Sequence, residues 1–226
     1  MGEMRVVIQC AGSKKPNAGY FRDREGRPIT FVARPDEAPA TNGRVYARPD
    51  DLSDANGETW RQQLQAYNNA SDNPFELCQA HRLYANRAYS DLTERFGAAN
   101  IFILSAGWGL VRGEFRLPNY DITFSAAADR YKQRKNRDAY SDFCQLDVND
   151  ARPIAFLVGE RYLQLLVQLA RKFPDQFRGE KILFHVTAVA PEIPGWRAQR
   201  FPTRKSTNWQ YDCAHALIKG DLDREI

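Results

Sequence analysis

The sequence predicts a single α/β domain over 1–226: a three-layer α/β/α arrangement around a central, mainly parallel four-stranded sheet. Two observations predict it. Four short apolar runs, at 4–9 (MRVVIQ), 100–105 (NIFILS), 153–158 (PIAFLV) and 181–186 (KILFHV), are continuous rather than alternating, the pattern of strands covered on both faces. Amphipathic stretches with helical spacing separate and follow them. In such sheets ligands bind at the carboxyl ends of the strands, beside a reversal of strand order. The loops after Gln9, Ser105, Val158 and Val186 are therefore expected to converge.

Taken in order, residues 4–9 form the first strand. Residues 17–56 turn polar and rich in Gly, Pro, Asp and Arg, with only 29–33 strand-like. This segment reads as an insertion or ordered lid, because it lacks the apolar content for a core of its own. A helix is expected over 58–70, with Trp60, Leu64 and Tyr67 on one face. A second is expected over 75–96, with Leu77, Ala80, Leu83, Tyr84, Ala88 and Leu92 in one stripe and Gly97 as its C-cap. A charged, helix-rich stretch is expected at 125–146. The third strand ends at Gly159 and feeds a helix over 160–173, and a Pro-rich loop after the fourth leads to a last helix over 208–219.

With 43% hydrophobic residues the 226-residue chain can build a sizeable core. Its mean hydropathy is −0.59. No apolar run approaches the roughly 18 residues of a membrane span. The start MGEMRVVIQC is too short and too soon polar for a signal peptide, and Val6 stands where a myristoylation signal has Ser or Thr. A cytoplasmic protein without membrane contact is expected. Cys10, Cys78, Cys144 and Cys213 are scattered, and His81, His185 and His215 lack metal-site spacing. No disulfide, metal or cofactor is expected. A net charge of +4 permits a phosphate-bearing partner without demanding one.

Four segments carry candidate chemistry. In Cys10-Ala11-Gly12-Ser13-Lys14-Lys15 a glycine, a hydroxyl and two cations suit a phosphate cradle, although P-loop spacing is absent and a solvated turn fits equally well. In Ser105-Ala106-Gly107-Trp108-Gly109 two glycines flank a tryptophan at a strand end, placed either to stack on a base or to plug the core. In Pro118-Asn119-Tyr120-Asp121, Asp121 sits among apolar neighbours, as a general base or cation-stabilising carboxylate does, and also as a helix N-cap does. Arg204, Lys205, Ser206, Asn208 and Trp209 interleave cations, polar groups and an aromatic at a helix start, for a sugar-phosphate backbone or as a plain N-cap. The basic run at 130–137 reads as a solvated helix face.

A strand ending in CAGSKK, a second ending in LSAGWGLV, and PNYDITF together resemble a bacterial and phage branch of the uracil-DNA-glycosylase-like superfamily. That branch carries L-S-A-x-x-G-L-[VI] and P-Y-D-x-T elements, and includes anti-phage DNA glycosylases acting on glucosylated hydroxymethylcytosine. The resemblance covers 4–15 and 100–124 well, and later elements, such as LVGERY, more loosely. Asn119 departs from the proline expected before Tyr-Asp, and the G-Q-D-P-Y and H-P-S motifs of uracil enzymes are absent.

The resemblance implies base flipping and excision from phage DNA, leaving an abasic site. Asp121 would be catalytic. Gln9, Cys10, Ser105, Gly107, Trp108 and Tyr120 would hold the base. Gly12, Ser13, Lys14, Lys15, Arg204, Lys205, Ser206, Asn208 and Trp209 would hold phosphates. The polar segment could frame a bulky sugar-decorated base, and a lyase step would need Lys14 or Lys15 as its amine. Two other readings stay open: a nucleotide- or nucleoside-processing enzyme such as a deoxyribosyltransferase, and a non-catalytic DNA-binding stress protein.

Overall fold

The computed structural model describes residues 4–41, 43–53 and 57–222. The reading of the chain start at 1–3, and positions 42 and 54–56 of the polar segment, lie outside the described residues. In chain order the strands are β1 (Arg5–Gln9), β2 (Ile29–Phe31), β3 (Val45–Ala47), β4 (Cys78–Gln79), β5 (Ile101–Ser105), β6 (Gly109–Arg112), β7 (Arg116–Leu117), β8 (Phe143–Cys144), β9 (Ile154–Leu157), β10 (Lys181–His185) and β11 (Arg197–Arg200). The helices are α1 (Trp60–Asn69), α2 (Ala80–Leu83), α3 (Ala88–Phe96), α4 (Glu160–Lys172) and α5 (Trp209–Lys219).

Seven strands, not four, form the main sheet, in the order β11-β10-β9-β1-β5-β6-β8. The four apolar runs are its contiguous parallel centre, β10-β9-β1-β5. Parallel β11 extends one side, while β6 runs antiparallel to β5 and carries β8 on the other. The added strands lack the apolar runs of the centre. β8 has two residues, β6 offers only Leu110-Val111 as an apolar run, and β11 at the edge carries the polar Arg197, Gln199 and Arg200, partly exposed. Val6, Val7 and Ile8 of central β1 are all fully buried, so both faces of the sheet are covered. The chain leaves β1 for β5 on one side and later reaches β9 on the other, and the strand order reverses between β1 and β9.

Three local expectations are corrected. The stripe at 75–96 is not one helix, because Cys78–Gln79 pairs antiparallel with β7 and the chain is extended at Tyr84. There Tyr84 bridges to Lys14 and turns its hydroxyl inward to lie 2.8 Å from that of Tyr120. Tertiary pairing has overridden helical periodicity. The stretch at 125–146 holds a single 3₁₀ turn, Arg130–Lys132. It is pinned instead by Arg134, which is buried against Asp142 rather than solvated on a helix face. Residues 17–56 are no lid: Phe21, Ile29, Phe31 and Val32 are buried. Phe21 and Phe31 pack around Trp60, and Phe31 packs on Trp108. The segment has no core of its own because it completes the main one.

Arg5 enters the sheet buried. It donates to the carbonyls of Arg152 and Arg178 and lies 3.6 Å from Asp150. A bidentate grip by Arg152, with Arg5 nearby, holds the Asp150 carboxyl down at about 2. A carboxyl depressed on folding contributes stability in full above its ordinary value, near ~3.9, and loses it as the pH falls through the folded value. Urea unfolding of the native protein and Asp150→Asn is expected to differ by a pH-dependent part of about 1–2 kcal/mol at neutral pH. That part should shrink between about pH 4 and pH 2. A gap that stays constant across this window would remove Asp150 from the acid response.

Candidate functional site

The carboxyl ends of β1, β9 and β10 open onto a cavity of about 700 Å³, at the reversal of strand order. It is walled by the loop after β1, by Thr123 and Ser125, by the first turns of α4 and α5, and by the loop after β10. Gln9 ties the β1 and β9 ends together, its Oε1 accepting the Gly159 N–H at 2.7 Å. α4 starts at Gly159 and α5 at Asn208, the latter in the left-handed region at φ 58°, and neither start has a side-chain cap. Two helices thus meet the cavity with first turns that no side chain caps and with the positive ends of their dipoles, although Tyr162 N–H and Tyr211 N–H turn back to the Gly159 and Asn208 carbonyls. Arg161, Arg204 and Lys205 add exposed cations around the rim. Of these, Arg161 donates to Ser125 Oγ at 3.2 Å, and Lys205 pairs with Asp212 at 2.6 Å.

Behind Cys10 and Tyr162 of the lining lies a buried polar network. Cys10 Sγ receives the Ala106 N–H at 3.4 Å and lies 3.2 Å from Tyr162 Oη. Ser105 Oγ accepts the N–H groups of Gly107 and Trp108 and donates its own hydrogen to Tyr120 Oη at 2.9 Å. Tyr120 then has its hydrogen free for Tyr84 or Cys10. Burial, reinforced by the Cys10 sulfur, pushes the phenols of Tyr84, Tyr120 and Tyr162 well above their ordinary value. They remain neutral donors at physiological pH. His185, also lining the cavity, is pushed below its ordinary value by burial and lies 3.1 Å from Thr187 Oγ1 through Nδ1.

The expected site residues divide. Gln9, Cys10, Gly12, Arg204, Lys205, Ser206, Asn208 and Trp209 line the cavity. Ser105, Gly107, Trp108 and Tyr120 do not, and they are buried. Trp108 is fully enclosed (0% exposed), 5.1 Å from the Phe31 ring, and offers no face to a base. The glycine-rich turn around it is no cradle either. Its three N–H groups go to Cys10 and Ser105, as above. Its carbonyls accept from Arg134 (Ala106) and from Arg61 (Gly107 and Trp108). Trp209, also buried, packs beside Phe201 and cannot stack on a ligand.

Ser13, Lys14 and Lys15 lie outside the lining. Ser13 and Lys15 are exposed, while Lys14 is half-buried over the Tyr120 ring. Asp121 is 42% exposed and pairs with Lys132 at 2.9 Å. It stands two residues before Thr123, which does line the cavity. Sequence reasoning missed Thr123, Ser125, Glu160, Arg161, Tyr162 and His185 as lining groups. The available signal was Gly-Glu-Arg-Tyr directly after the third strand, where a helix start meets a strand end.

Gly109 has a packing role of its own. At φ 86° an added Cβ would sit 2.4 Å from the Phe143 carbonyl oxygen. Gly109→Ala is expected to lower the unfolding free energy by more than about 2 kcal/mol, from left-handed strain plus backbone overlap. A urea midpoint within error of the native one would contradict it.

Among the described residues no group of three or more His, Cys, Asp or Glu could hold a metal, and no helix is long and apolar enough to cross a membrane. No family model, curated protein or solved structure matches the chain.

Proposed function

We propose that this protein is a cytoplasmic DNA glycosylase that flips a modified base of phage DNA into the cavity and cleaves its N-glycosyl bond, leaving an abasic site. One observation carries the reading. Two helix starts without side-chain caps and three cations surround a nucleotide-sized cavity of mixed polar and apolar lining at the strand-order reversal. Helix N-termini and Arg/Lys groups favour phosphate, and a cleft this deep suits a base taken out of the stack. About 700 Å³ leaves room for a base carrying a sugar, which fits glucosylated hydroxymethylcytosine as the target. A sheet buried on both faces is the layered α/β arrangement in which the strand-end cavity lies.

Breaking the C1′–N bond builds positive charge on the sugar. Asp121, which lies outside the lining but only two residues before Thr123 of the cavity wall, is assigned to that charge. The departing base gains electron density, and neutral Tyr162 on the floor can donate a hydrogen bond to it. The test is to incubate the protein with unmodified phage DNA and with DNA carrying glucosylated hydroxymethylcytosine, and to count abasic sites. Sites in the modified DNA alone are expected. Their absence from both would sink the glycosylase reading for these substrates. Base release from free nucleotides would then favour a deoxyribosyltransferase-like enzyme, and DNA binding without release a binding protein.

A further inference from the structure

We propose that Lys14 is a nucleophilic amine that forms a Schiff base with the aldehyde of an abasic site, so that the protein also cuts the DNA strand as a lyase. This extends the reading of the cavity as a site for a nucleotide within DNA. The loop after β1 is held on both sides of Lys14. Lys15 N–H donates to the Leu83 carbonyl at 2.9 Å, Ala85 N–H donates to the Ser13 carbonyl at 3.1 Å, and Lys14 itself bridges antiparallel to Tyr84. Neighbouring side chains in such an extended pairing point opposite ways. Lys15 is exposed, while Lys14 turns in and sets its Nζ 4.1 Å from the Tyr120 ring centroid.

That ring's hydroxyl meets Cys10, which lines the cavity, while Lys14 and the buried Tyr120 ring lie behind that wall, outside the lining itself. Among the described residues Lys14 makes no ion pair and no side-chain hydrogen bond. The nearby carboxylate, Asp121, is engaged by Lys132. Burial lowers the Lys14 pKa, against the opposing pull of Cys10 and Asp121 and with reinforcement from Lys132. A desolvated lysine of this kind serves as a Schiff-base amine, which a solvated one does much less well.

The step balances without a redox partner. The Lys14 amine attacks C1′ of the ring-opened deoxyribose, the carbonyl oxygen takes a proton, and water leaves to give the iminium. Loss of a C2′ proton to water drives cleavage of the C3′–O bond, and the 3′ phosphate leaves as its anion. Water then hydrolyses the unsaturated imine and returns the free lysine.

The experiment uses the full chain and a duplex oligonucleotide bearing one preformed abasic site, so it does not require this protein to excise a base. Borohydride, whose hydride reduces the C=N bond, traps the imine as a stable amine, and peptide mass mapping locates the adduct. A trapped adduct on Lys14 is expected. Lys14→Arg keeps a cation over Tyr120 but should trap about 100-fold less. No adduct with the native protein, an adduct mapping to Lys15 or the terminal amine, or undiminished trapping by Lys14→Arg would each overturn the inference. Mapping on the native protein decides even where the variant fails to fold. Failure of the lyase alone leaves uncut abasic sites accumulating in modified DNA. Failure of the glycosylase reading leaves none there, whatever the preformed site does.

Discussion

Arg134→Met is expected to lower the unfolding free energy by about 3–5 kcal/mol, the range for removing one partner of a buried ion pair. Arg134 is 5% exposed and its partner Asp142 9%. The guanidinium grips both carboxylate oxygens, at 2.9 and 2.5 Å, donates to the Ala106 carbonyl at 2.8 Å and lies 3.9 Å from the Tyr140 ring centroid. Methionine fills much of the space but strands a buried negative charge and an unpaired carbonyl. Adding Asp142→Leu removes the stranded charge and should recover more than about half of the loss. Urea unfolding of the single and double variants checks both parts. A single-variant cost below about 1 kcal/mol would mean that the pair does not hold the Ala106 turn.

Asp121→Asn is expected to slow abasic-site formation by about 10²–10⁴-fold in single-turnover assays on modified DNA. The substitution keeps the shape and removes the charge that would face the sugar cation. The surroundings should hold, because Lys132 keeps its second carboxylate, Asp129, at 2.9 Å. DNA affinity, followed by fluorescence anisotropy, should stay equal or rise, since a negative charge near phosphates is lost. A slowing of less than about tenfold would shift the assignment to Glu160, the carboxylate that lines the cavity itself. Glu160→Gln belongs in the same series for that reason.

How far the sequence could be read follows from which forces are local. The centre of the sheet was legible because Val6-Val7-Ile8, Ile101-Phe102-Ile103-Leu104 and their counterparts are apolar on both faces, a property carried residue by residue. Topology rules pointed to the loops after β1, β9 and β10, which converge with Gln9, Cys10 and Gly12 on the cavity, but also to the loop after β5, which packs away from it. The 204–209 segment was picked out by its residue types. Trp108 was misplaced because a strand-end tryptophan looks alike above or below a loop. Its burial depends on Phe31, remote in sequence. The break at Tyr84 and the inward turn of Arg134 also rest on distant partners, Lys14 and Asp142, which no window of neighbouring residues contains. Lys14 and Lys15 were equivalent in the sequence, and only the bridge to Tyr84 separates them.

The position of β1 bears on how the chain comes to fold during its own synthesis. Of the sheet's strands it is made first, yet it lies inside the sheet, with Val6 opposite Ile101 on one side and Ala155 on the other. An emerging chain therefore carries Val6-Val7-Ile8 without its second neighbour until residues 154–157 have left the ribosome. Pairings this remote in sequence give slow folding and prolonged exposure of an adhesive segment. Truncated or stalled chains ending before residue 154 should be the aggregating species, and chaperone binding should concentrate on nascent chains shorter than that length.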